Sequence, residues 1–83
     1  MSNWFRDDTA PLLLQSAVQI AWDYLERSGE IDDPIETSQF LVGKIEFMMA
    51  HGQRNKLALS NRAISAFQRY RRTRTIEVSL ASN

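Results

Sequence analysis

The stretch Asp33-Pro34-Ile35-Glu36 restricts the fold of this chain more than any other. Asp33 offers a carboxylate to the first free amides of a helix, and Pro34 suits a first helical position, where its missing N–H is not needed. Glu36, three residues after the cap, completes a capping-box arrangement. A helix therefore begins at Pro34. Single glycines at 29 and 52 can each close a helix in the left-handed conformation. Together these positions divide the chain into three stretches, each with apolar residues at helical spacing.

The first stretch carries Leu13, Leu14, Ala17, Val18, Ile20, Ala21, Tyr24 and Leu25 as one broad stripe, with Gln15, Gln19, Asp23 and Glu26 opposite. It predicts a helix over roughly 10–28, capped by Thr9 with Pro11 in its first turn. The second predicts a helix over 34–51 carrying Ile35, Phe40, Leu41, Val42, Ile45, Phe47, Met48 and Met49. The third, over roughly 55–72, places Leu59, Ala63, Ala66, Phe67 and Tyr70 on one face. Either Asn55 or Ser60 can cap it; the earlier start is preferred because it sets Leu57 and Ile64 along one edge of the stripe. The expected fold is all-α: a compact three-helix domain with an N-terminal arm at 1–8 and an extended or disordered tail at 73–83. Within that tail, Thr75-Ile76-Glu77-Val78-Ser79-Leu80 alternates with a period of two, but a lone strand has no partner in its own chain. The segment is expected to fray, or else to dock on another chain.

With 83 residues and no cysteine, the chain has one modest core and no disulfide or thiolate site to supplement it. A hydrophobic fraction of 43% is enough to fold it. Near the start, the longest apolar run is Leu12–Leu14, preceded by Asp7 and Asp8, which is neither a secretory signal nor a membrane span. The expected location is cytoplasmic.

Charge is segregated along the chain. The first fifty residues hold nine of the ten acidic side chains and three basic ones, a formal −6; the remainder holds seven basic side chains and Glu77, a formal +6. The two halves can attract each other, or the basic half can present a contact surface.

Two functions follow. The second helix has more apolar surface than an edge helix needs, so Phe40, Gly43, Phe47 and Met49 are assigned to a protein interface. On this assignment the chain is a noncatalytic interaction or regulatory module, binding another protein chain or forming a homodimer through the second helix. The same residues are otherwise accounted for by the first and third helices, with Phe40 and Phe47 packing on Trp4 and Phe5. The alternative is nucleic-acid binding by a polar stripe on the third helix: Asn61, Arg62, Ser65, Gln68, Arg69 and Arg72. There the arginines would contact phosphate, and Asn61 or Gln68 would act as readers.

Catalysis has no visible basis. The only histidine, His51, belongs at a helix C-terminus, and the pairs Asp7-Asp8 and Asp32-Asp33 belong at helix starts. No Gly-rich phosphate loop or metal-ligand spacing occurs. No enzymatic activity, cofactor or metal is therefore expected.

Overall fold

The computed structural model describes the backbone of residues 2–81 and the side chains of residues 10–74. It contains three helices: α1 (Ser2–Arg27), α2 (Pro34–Ala50) and α3 (Lys56–Ala81), each packed on the other two. The short connections make successive helices antiparallel, so α1 and α3 run the same way with α2 reversed beside them.

The boundaries have local causes. Asp33 is extended (φ −122°, ψ 106°), and its carboxylate accepts from the amides of Ile35 and Glu36 at 3.0 and 3.1 Å. A cap of this kind is worth about 1 kcal/mol. Glu36, however, does not turn back to complete a capping box. It reaches α3, where Oε2 accepts from the Tyr70 hydroxyl at 2.8 Å and Oε1 pairs with Arg74. The C-termini of α1 and α2 share one solution. Gly29 (φ +72°) and Gly52 (φ +97°) are left-handed, and the amide after each closes a wide loop: Glu30 N to Leu25 O at 2.9 Å, Gln53 N to Met48 O at 3.0 Å. These are Schellman caps, and glycine alone adopts the conformation without strain. Asn55 starts α3, its Oδ1 accepting from Ala58 N at 3.0 Å, while Ser60 lies buried one turn inside with its hydroxyl on Leu57 O.

Two helices are longer than the sequence predicts. The backbone is helical from Ser2 in α1 and to Ala81 in α3, through most of the 1–8 segment expected as an arm and through 73–81 of the 73–83 segment expected as a tail. In α3 no glycine or proline follows Asn55 to stop propagation, which gains one hydrogen bond per residue, whereas a strand over 75–80 would need a partner edge; α1 continues past Pro11 at the loss of one backbone hydrogen bond. Pro11 consequently lies inside α1, and Thr9 is an interior position. The side chains of Trp4, Phe5, Ile76, Val78 and Leu80, and with them the arm packing and tail docking, lie outside the described residues.

The core is one cluster. Ala17, Ala21 and Leu25 come from α1; Leu41, Ile45, Met48 and Met49 from α2; and Leu59, Ala63, Ile64 and Phe67 from α3. Alanines at 17 and 21 keep the buried face of α1 shallow, so its backbone approaches the other helices closely. Phe40 closes the α2/α3 side, edge-on to Phe67 at 5.5 Å and stacked on Tyr70 at 5.0 Å.

Candidate functional surfaces

Four residues of α2 were expected to share an interface, and the structure separates them. Phe40 faces α3 and Met49 is only 9% exposed in the core, whereas Gly43 is exposed and Phe47 is 58% exposed. Helix geometry puts Met49, nine residues on at about 100° each, opposite Phe40, whereas Phe40 and Phe47 share a face and differ because Phe67 and Tyr70 cover only the former. Of the four, only Gly43 and Phe47 remain accessible. The Phe47 ring lies 4.3 Å from the His51 ring, and Lys44 Nζ lies 5.8 Å from its centroid. His51 is the C-cap of α2, with Nδ1 donating to Phe47 O at 2.8 Å, which accounts for this histidine as a capping residue.

The basic half of the sequence is divided between two places. At one end of the bundle, α3 is tied to the α1–α2 connection and the start of α2. Arg71 pairs with Asp32 at 2.8 Å and with Glu30 at 3.8 Å, Gln68 donates to Glu30 Oε2 at 3.1 Å, and Arg74 pairs with Glu36. Exposed ion pairs are worth about 0–1 kcal/mol each, so this cluster orients α3 more than it stabilises it. Within it, the bond to Glu36, together with desolvation, raises the Tyr70 hydroxyl above its usual pKa of 10.0, and Glu36 likewise raises Arg74. The Tyr70 contribution is therefore fully present below pH 10 and is lost only as pH rises through the raised value.

The other place is a groove of about 420 Å³ between α2 and α3, lined by Lys44, Met48, Asn61, Arg62, Ser65, Ala66 and Arg69. Three cations converge on it, and none of its lining residues is a carboxylate. Asn61, Arg62, Ser65 and Arg69 were expected on one stripe and are indeed exposed together. Gln68 is half-buried and engaged with Glu30, and Arg72 is exposed but outside the groove lining. Lys44 and Met48 were missed. Lys44 stands eight residues before Gly52 and Arg62 ten after it, so folding α2 back on α3 brings these two level, and Met48 follows Lys44 one turn on along the same face of α2.

A further groove of about 480 Å³ runs between α1 and α2, lined by Pro11, Leu14, Val18, Trp22 and Val42 with Gln15, Gln19 and Ser38. Among the described residues there is no cluster of three or more His, Cys, Asp or Glu side chains suited to a metal, and no helix long and apolar enough to cross a membrane.

The fold and its surfaces define a small three-helix domain with a cationic groove. Comparison with protein-family models, curated proteins and solved structures gave no significant match to this chain.

Proposed function

We propose that this chain is a noncatalytic nucleic-acid-binding module that holds a sugar–phosphate strand in the α2/α3 groove. One observation carries this function: Lys44, Arg62 and Arg69 line a single concavity with no carboxylate among its lining residues. A formal net charge of zero weighs little against it, because Glu30, Asp32 and Glu36 are engaged with Arg71 and Arg74 elsewhere and Glu46 lies on the α1 side of α2. The local field, which a ligand meets first, is positive.

The test is a fluorescence-anisotropy titration of the protein into labelled oligonucleotides at two salt concentrations. Three phosphate contacts on a single strand give a slope of about −2 in log affinity against log salt, so a rise from about 50 to 200 mM weakens binding roughly 20-fold. No binding at the lower salt, or an affinity indifferent to salt, would sink the proposal.

A second function, a protein interface, is favoured by the apolar lining of the α1/α2 groove, where Leu14, Val18, Trp22 and Val42 are half-buried. In its homodimeric form it fails if sedimentation equilibrium shows a monomer at every concentration.

A further inference from the structure

We propose that the strand taken by the α2/α3 groove is single-stranded, and that Phe47 is the platform on which one of its bases stacks. This rests on the nucleic-acid function above and assigns the ligand's form. Phe47 stands on α2 directly before Met48, which lines the groove, and its ring is 58% exposed. Lys44 ties the two together, because it lines the groove and also holds its Nζ 5.8 Å from the Phe47 ring centroid. His51 packs against the ring at 4.3 Å and limits its freedom. A restrained, accessible aromatic ring beside a cationic groove is the arrangement that binds single strands, with phosphates on the cations and a base on the ring.

Duplex DNA fits less well. Duplex readers push a protruding helix into the major groove, with the base-contacting side chains on the ridge of that helix. Here the cations stand on both walls of a concavity, Lys44 from α2 and Arg62 and Arg69 from α3. Such a channel receives one flexible backbone. In a duplex, moreover, the base faces are already stacked on one another and unavailable to Phe47. Asn61 and Ser65, exposed on the α3 wall, can hydrogen-bond to sugars or to the edges of an unpaired base.

The experiment compares four labelled probes at low salt: oligothymidylate of about 8 nucleotides, an abasic strand of equal length, a duplex, and oligoglutamate of similar charge. The full chain is expected to bind oligothymidylate about tenfold more tightly than the abasic strand, with the duplex weaker than oligothymidylate. Phe47→Ala should remove that tenfold preference, leave abasic-strand binding unchanged and leave thermal unfolding nearly unchanged, since the ring is exposed; Phe47→Trp should keep the preference. Equal binding of oligothymidylate and abasic strand by the unaltered chain overturns the inference. So does a preference that survives Phe47→Ala, a duplex bound more tightly, or oligoglutamate bound as tightly as oligothymidylate. If no probe binds, or if binding survives the loss of Arg62 and Arg69, the underlying nucleic-acid function has failed instead.

Discussion

Reversing two charges on α3, Arg62→Glu together with Arg69→Glu, is expected to abolish strand binding at about 50 mM salt while leaving thermal unfolding within a few degrees of the unaltered chain. The two changes convert the groove from three cations to one cation and two carboxylates. Both arginines are exposed and neither pairs with a carboxylate among the described residues, so their replacement breaks no ion pair there. The neutral pair Arg62→Gln and Arg69→Gln should be intermediate, its salt slope falling from about −2 to about −0.7 as only the Lys44 contact persists. An anisotropy titration in which the reversed variant binds as the parent does would exclude the groove as the site.

The second large effect concerns the core. Leu41 is fully buried in the middle of α2, within the one cluster that joins all three helices. Leu41→Ala should cost about 2–5 kcal/mol, through lost transfer energy and an unfilled cavity. A chain of 83 residues has only about 4–12 kcal/mol of total stability, so the variant should lose a large part of its folded population or its cooperative transition. Leu57, of the same type but 61% exposed, provides the contrast. Leu57→Ala should change the urea midpoint by less than about 0.5 kcal/mol equivalent. Similar losses for the two variants would show that the core has been misplaced.

The contrast between local and distant causes also explains which features were legible in the sequence. The Asp33 cap, the Gly29 and Gly52 turns and the Asn55 start depend on residues within six positions of one another, and each is found where local chemistry puts it. Glu36, three residues after Asp33, has the spacing of a local capping partner. Its actual partners, Tyr70 and Arg74, become neighbours only when α3 packs beside the start of α2. The ends of α1 and α3 lie beyond the limits that local signals suggest, because Thr9 and Pro11 resemble a helix start although the helix runs through them, and no glycine or proline ends α3. The alternation from Thr75 to Leu80 has the period of a strand without an edge to join.

At the candidate site the same division applies. Asn61, Arg62, Ser65 and Arg69 recur on successive turns of one helix, so their shared face could be read directly. Lys44 and Met48 join them only through the α2/α3 packing. Phe40, Gly43 and Phe47 do fall on one stripe of α2, with Met49 on the far side, but Phe67 and Tyr70 cover Phe40, a contact that exists only once α3 packs on α2. Segregation of charge suggested either internal attraction or an external contact, and the molecule combines a paired cluster at Arg71 and Arg74 with a cationic groove at Lys44, Arg62 and Arg69.

If the α2/α3 groove is the working surface, amide chemical-shift mapping during titration with oligothymidylate will show it. The largest changes are expected at Lys44, Phe47, Met48, Arg62, Ser65 and Arg69, with the amides around Leu14, Val18 and Trp22 in the α1/α2 groove unmoved. Changes centred on that second groove, or no change at any amide at low salt, would contradict it.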